Sequence, residues 1–137
     1  MNAPLDALQS FLDEWSSTEE GNKNAFIHLK DALAVKPGVV LDFLPRAGIT
    51  YSLRASHGNQ KARPLFVMVD IIEDEPRWLS ICFFGDMVTD PDEQGDFVPQ
   101  GLLGEDAVCF DLEEYDVDRL HYIEERMEEA YSSAAGK

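Results

Sequence analysis

The sequence predicts an α+β fold with a mostly antiparallel five-stranded sheet, two N-terminal helices and one C-terminal helix, in the order α-α-β-β-β-β-β-α. Apolar residues recur at spacings of three and four at both ends of the 137-residue chain, which is typical of helices. Between these segments apolar and polar residues alternate, which is typical of strands. The strands follow one another too closely for parallel crossovers, so we expect antiparallel pairing. Helices segregated from such a sheet define the α+β class.

Two helices are predicted before residue 36. The first has an apolar stripe formed by Leu5, Leu8, Leu12 and Trp15, and Asn2 is its predicted cap. Ser17 and Glu20 have the spacing of a capping box at the start of the second helix. Its apolar face consists of Ala25, Phe26, Leu29 and Leu33. The sequence Lys36-Pro37-Gly38 ends it.

Four strands are predicted between residues 39 and 84. Residues 39–44 and 49–55 alternate in polarity, whereas residues 64–72 are almost continuously apolar. A tight acidic turn over residues 73–76 leads into the partner strand, residues 77–84. Because both faces of the last two strands are apolar, we expect them at the centre of the sheet or at a dimer interface.

The last third of the chain predicts a long loop, one strand and a helix. Gly85, Pro91, Gly95 and Pro99 predict a loop over residues 85–106, with a short extended piece at Phe97-Val98. The fifth strand covers residues 107–112, and Asp116 caps a helix that runs to about residue 133. Residues 132–137 are expected to form a frayed tail, and residues 1–137 a single domain.

The charge of the chain excludes several classes of partner. Asp and Glu number 27 against 11 Lys and Arg, so the net charge is −16. Direct nucleic-acid binding is not expected, because its affinity comes mostly from Lys and Arg that neutralise phosphates. An anionic membrane surface is disfavoured for the same reason. The sequence shows neither an apolar run long enough to span a bilayer nor a secretory signal, so we expect a cytoplasmic protein.

One window of this acidic chain is basic. Residues 43–69 contain no acid and four cations. The predicted anion- or partner-binding residues are these cations and one histidine: Arg46, Arg54, His57, Lys61 and Arg63. Arginine offers a planar fork that suits a carboxylate or a phosphate. The alternative is that these cations pair with the protein's own acids and relieve repulsion.

An acidic segment in the long loop resembles the beginning of a calcium-binding loop. Asp90 and Asp92 stand at its first and third positions, and Gly95 stands at its sixth. The predicted metal ligands are Asp90, Asp92 and Asp96. The twelfth position is Gly101 where calcium loops have a glutamate, so a solvated acidic turn is the competing interpretation.

The sequence contains no recognisable catalytic motif. His28, His57 and His121 are scattered and lack the spacing of zinc ligands. Neither a nucleophile elbow nor a glycine-rich phosphate loop is present, so no catalytic residue and no cofactor are predicted. Cys82 and Cys109 lie in apolar strand-like segments and are interpreted as two buried thiols. A disulfide between them requires neighbouring strands, which the sequence leaves open.

The order of elements resembles that of the small bacterial YdhG-like domains, which are compared with frataxin. The matching pieces are residues 49–54 with Tyr51 at their centre, the apolar residues 65–69, and residues 108–112 before the last helix. The resemblance spans about residues 20–131 and is one of topology more than of motif. It implies an acidic surface that handles iron, and we transfer no functional residue from it.

These observations favour a non-enzymatic binding or interaction module. Its expected partner is a basic protein or a second copy of the chain, which would form a homodimer, and the strand with Arg54 and the acidic last helix are the expected faces. One alternative is an acidic surface that handles a cation, either iron or calcium. Another is a small enzyme that acts on an anionic substrate near Arg54 and His57. A mimic of nucleic acid is a further alternative, although the charge density is low for that role.

Overall fold

A computed structural model describes residues 3–136, with side chains from residue 6 onward. Three helices and six strands follow in the order α1 (Ala3–Glu14), α2 (Asn22–Ala34), β1 (Val39–Arg46), β2 (Thr50–His57), β3 (Val67–Ile72), β4 (Trp78–Phe84), β5 (Asp96–Leu102), β6 (Glu105–Leu112) and α3 (Val117–Ala134). The predicted α+β class is confirmed. The predicted cap Asn2 lies outside the described residues.

All six strands form one antiparallel sheet in the order β1-β2-β3-β4-β6-β5. The prediction of five strands was wrong, because β5 lies inside the segment expected to be a loop. Pro99 and a bulge between Val98 and Leu102 interrupt this edge strand. Proline and irregular register are tolerated where a strand has a neighbour on one side only. The central position predicted for β3 and β4 is what the strand order shows.

The three helices pack on one face of the sheet and enclose the main core. That core joins the apolar stripe of α1 (Leu8, Leu12 and Trp15), the buried face of α2 and the inward residues of five strands. Arg77 lies against the aromatic part of this core, with its guanidinium carbon 4.9 Å from the centroid of the Phe11 ring. Amphipathic helices thus bury their stripes against the apolar face of the sheet, as the sequence predicts.

No described helix covers the opposite face of the sheet, on which a smaller apolar cluster lies at one end. Leu65, Phe84, Leu102 and Ala107 form this cluster, which the β5–β6 hairpin helps to close. The rest of this surface is here called the open face. Its side chains, which alternate with the core residues in the register of β1–β4, are Val40, Asp42, Leu44, Arg46, Thr50, Ser52, Arg54, Ser56, Met68, Asp70, Ile72, Trp78, Ser80 and Cys82.

Two predicted helix ends are confirmed and two are wrong. The stop predicted at Lys36-Pro37-Gly38 is confirmed, because α2 ends at Ala34. Asp116 caps α3, since its side chain accepts a hydrogen bond from the backbone N–H of Arg119. The capping box at Ser17 is wrong, because Gly21 precedes α2 with a positive φ of 75° and no side chain caps the helix. Residues 132–134 are not a frayed tail, because they belong to α3, and Ala134 is buried in the main core.

Cys82 and Cys109 form a disulfide, so their interpretation as two thiols was wrong. They stand opposite each other on the neighbouring strands β4 and β6, with Cα atoms 4.1 Å apart. This proximity depends on the order of strands in the sheet, which local sequence patterns do not reveal. No helix among residues 3–136 combines the length and the apolar composition needed to cross a membrane.

Candidate functional site

The structure separates the five predicted binding residues into three places. Arg46 and Arg54 project from the open face. His57 projects from the opposite face of β2, where its ring packs edge-on against Tyr131 of α3, with centroids 5.6 Å apart. Lys61 is exposed in the loop after β2, and Arg63 joins an ion network further along that loop. The basic window does not form a single site.

Arg63 is held by the protein's own carboxylates. Its Nη1 and Nη2 donate to the two carboxylate oxygens of Asp86 at 2.8 and 3.0 Å. Its Nη2 and Nε donate to those of Glu105 at 2.7 and 3.2 Å. The hydrogen bonds that Arg63 donates to Asp86 and Glu105 raise the pKa of its guanidinium above the ordinary value. Its carbon also lies 4.2 Å from the centroid of the Phe84 ring. This residue has little capacity left for an external anion.

The imidazole ring of His57 is packed against neighbouring parts of the fold. Its Nδ1 accepts a hydrogen bond from the backbone N–H of Asn59 at 3.0 Å. A side chain at Gly38 would collide with the imidazole ring, and Gly38 itself has a φ of 81°. The His57 ring therefore packs against the turn before β1 and against α3, on the side of the sheet that carries the helices.

Arg46 and Arg54, unlike Arg63, are not paired with a carboxylate of the described residues. The salt bridges within the described residues include neither of them. The Arg54 Nε donates to the Ser52 hydroxyl at 3.3 Å, and its terminal nitrogens have no acceptor in the described part of the chain. Asp42 lies directly opposite Arg54 in the β1–β2 register, but the two form no ion pair. These two positive charges are available to an external group.

Asp70 is a functional candidate that the sequence analysis missed. It lies on the open face between Ser52 and Ser80 of the neighbouring strands. Its Oδ1 is buried and has no hydrogen-bond partner among the described residues. Burial raises the pKa of its carboxyl above the ordinary value, although the Ser52 hydroxyl and the arginines nearby act in the opposite direction. A single carboxylate inside the apolar run 64–72 was the available signal.

The acidic loop is held together by its own hydrogen bonds. Asp90 Oδ1 accepts from the backbone N–H of Gln94 at 3.0 Å, and Oδ2 accepts from that of Gly95 at 2.9 Å. The Tyr122 hydroxyl also donates to Asp90. Asp96 lies at the start of β5. Residues 3–136 contain no group of three or more His, Cys, Asp or Glu side chains placed to hold a metal ion. Metal binding by Asp90, Asp92 and Asp96 stays a prediction.

Comparison of the chain with family models, with curated proteins and with solved structures gives no match. The resemblance to YdhG-like domains therefore stays a prediction, as does the iron handling that it implies. The arrangement on the open face can recognise a partner through two unpaired guanidinium groups, a partly buried carboxylate and exposed apolar side chains. The candidate functional site is this surface, with Arg46, Arg54 and Asp70 as its charged members.

Proposed function

We propose that the protein is a non-enzymatic interaction module that pairs with a second copy of itself through the open face. The observation that carries this proposal is the one-sided packing of the helices on the sheet. A sheet with one uncovered face normally presents polar residues there. Among its polar residues this face also exposes Val40 at 56% and Leu44 at 37% of their surface, with Ile72 and Trp78 half-buried. Exposed apolar patches of this kind are typical of interaction surfaces.

The charge distribution favours a second copy as the partner. The chain carries a net charge of −16, so two copies repel each other over most of their surfaces. Across β1–β4 the open face carries two arginines and two aspartates, so its formal charge there is zero, and Asp111 of β6 borders it opposite Ser80. Two copies therefore meet with the least repulsion when their open faces approach. A twofold axis brings the same patch of both copies together, which is the commonest arrangement in homodimers.

Unpaired groups on the open face add polar complementarity to this interface. Arg46 and Arg54 have no carboxylate partner within the described residues, and one oxygen of Asp70 has no donor. Across a twofold axis each copy offers both guanidinium donors and carboxylate acceptors. Charge-assisted hydrogen bonds between them would be self-complementary and would set the relative orientation of the two copies.

Sedimentation velocity over a wide range of protein concentrations tests this proposal. The wild-type chain is expected to sediment as a dimer at the upper concentrations. Leu44→Glu places a charge in the exposed apolar part of the open face, on the edge strand β1, and is expected to yield a monomer. Val35→Glu is the matched control, because Val35 is 80% exposed at the end of α2, away from the open face. Circular dichroism verifies that both variants are folded. A wild-type monomer at every concentration, or dissociation of both variants alike, overturns the proposal.

A further inference from the structure

The open face contains a cavity at one end, between β1, β2 and the segment that leads into β3. Its volume is about 380 Å³, and the side chains that define its chemistry are Val40, Asp42, Arg54, Ser56, Pro64 and Leu65. This volume is within the range of pockets that hold small molecules. The cavity can therefore hold a small ligand whose chemistry suits Arg54 and the apolar walls.

The Ser52 hydroxyl orients the Arg54 guanidinium, and no carboxylate of the described residues forms an ion pair with it. Its Nε donates to the Ser52 hydroxyl at 3.3 Å, which leaves both terminal nitrogens without an acceptor in the described residues. The Ser56 hydroxyl, which also lines the cavity, has no hydrogen bond to any described side chain or backbone group. Two free guanidinium nitrogens and one hydroxyl form a donor set that matches a carboxylate.

The charged groups that face Arg54 do not occupy this donor set. Asp42 lies opposite on β1, but its Oδ1 accepts the backbone N–H of Phe43 at 3.0 Å and forms no ion pair with Arg54. Asp70 on β3 is within electrostatic range of Arg54, and again no salt bridge joins them. Both carboxylates disfavour a multiply charged anion at this place. An anion with a single charge is the class that this field tolerates best.

The remaining walls of the cavity are apolar. Val40 is exposed on the edge strand, and Leu65 is buried as part of the smaller apolar cluster, with Pro64 beside it. We infer that this cavity binds a monocarboxylate with a short aliphatic chain. The Arg54 fork and the Ser56 hydroxyl hold the carboxylate, and Val40, Pro64 and Leu65 contact the chain. The site does not depend on the proposed pairing, because a single copy supplies all of its groups.

Titration of the 15N-labelled protein with hexanoate, followed by NMR chemical shifts, tests the inference. The measurement uses a protein concentration at which sedimentation shows a monomer. Saturable shifts are expected around Arg54 and Leu65. Acetate is expected to bind more weakly because it lacks the chain, 1-hexanol because it lacks the charge, and inorganic phosphate because of its second charge.

Three variants make the assignment specific. Arg54→Gln is expected to weaken hexanoate binding roughly tenfold or more, since it removes the charge-assisted fork. Asp42→Asn is expected to tighten binding, since it removes the opposing charge. Arg46→Gln is the matched control, because it removes an arginine of the open face that lies outside the cavity. Thermal melts verify that each variant is folded.

The result that overturns the inference is the absence of saturable shifts with hexanoate, equal binding of 1-hexanol, or equal losses in Arg54→Gln and Arg46→Gln. A wild-type chain that is always monomeric would overturn the pairing and leave this inference intact. If the chain dimerises at high concentration but its monomer does not bind hexanoate, this inference is overturned and the pairing is left intact. The failures of the two proposals are therefore distinguishable.

Discussion

Tyr122 of α3 donates its hydroxyl hydrogen bond to Asp90 and thereby fastens the loop between β4 and β5 to the last helix. The Tyr122 side chain is buried, whereas Asp90 is partly exposed. Burial acts to raise the pKa of the Asp90 carboxyl, but hydrogen bonds from Tyr122 and from the backbone N–H groups of Gly95 and Gln94 outweigh it. The pKa of Asp90 therefore lies below its ordinary value.

Replacement of Tyr122 by Phe removes this donor while it keeps the ring. We expect the free energy of unfolding at neutral pH to fall by about 1 kcal/mol, because the carboxylate loses one charged hydrogen bond and is partly solvated. A lowered pKa in the folded state adds stability above the unfolded-state pKa, which is lost as the pH falls through the folded-state value. Urea unfolding at neutral and at acidic pH measures both effects.

The control for this change is Tyr115→Phe, because Tyr115 is 42% exposed and its hydroxyl forms no hydrogen bond with the described residues. This control should unfold like the wild type at both pH values. If Tyr122→Phe destabilises the protein equally at neutral and acidic pH, the hydrogen bond to the ionised Asp90 is not the cause.

Leu103 and Gly104 form the two-residue turn between β5 and β6, and both have positive φ, 52° and 84°. Such turns favour Asn-Gly, and a leucine in this conformation is strained. Leu103→Asn is expected to raise the free energy of unfolding by about 1 kcal/mol. Little packing is lost, because Leu103 is 51% exposed. Thermal melts measure the gain. Leu103→Ala keeps the unfavourable conformation and should show no comparable increase.

The disulfide between Cys82 and Cys109 joins residues 27 positions apart in sequence. Its reduction is expected to lower the free energy of unfolding by about 2–4 kcal/mol, since the unfolded chain gains freedom when this loop opens. Chemical denaturation with and without dithiothreitol measures the difference. A double variant, Cys82→Ala with Cys109→Ala, should not respond to the reductant. Two titratable thiols in the denatured, unreduced protein would contradict the assignment.

Asp70 is expected to destabilise the folded state at neutral pH. Burial raises the pKa of its carboxyl in the folded state, so the ionised form carries a penalty above that pKa. The penalty disappears as the pH falls through the folded-state pKa towards the unfolded-state value. Asp70→Asn should therefore melt at a higher temperature than the wild type at neutral pH, with a difference that shrinks in acid. Asp111→Asn, at an exposed position on β6, is the control. A lower melting temperature of Asp70→Asn at neutral pH would show that the Ser52 hydroxyl and the positive charge of Arg54 outweigh burial.

Local sequence patterns were sufficient to predict those helices and strands that bury a single apolar stripe or a single face. The apolar stripe of α1 and the alternation of Tyr51 and Leu53 in β2 are properties of adjacent residues, and both side chains of β2 lie in the core. The strand β5 was missed because Pro99 and Gly101 have low strand propensity and interrupt the alternation of polar and apolar residues. Its pairing with β6 stabilises the extended conformation despite that low propensity. The capping box at Ser17 failed because α2 begins only at Asn22, after Gly21 with its positive φ. The Asn22 side chain at this start donates to the carbonyl oxygens of Arg77 and Glu113, which are distant in sequence.

The candidate site was predicted in part. The absence of acids from residues 43–69 indicated Arg46 and Arg54, and both lie on the open face. Arg63 belongs to the same window, but Asp86 and Glu105 surround it, and no local pattern links residues so far apart. Asp70 was missed because the apolar residues around it predicted an entirely buried strand.

By itself, the amino-acid sequence determined the three helices, five of the six strands, the α+β class and the separation of a basic window from an acidic remainder. These properties follow from side-chain periodicity and from charge along the chain. Only the tertiary structure decided that Cys82 meets Cys109, that Arg63 is neutralised while Arg54 is not, and that one face of the sheet has no helix upon it. Strand order and register bring together residues remote in sequence, and a shift of one residue would move every side chain of a strand to the other face.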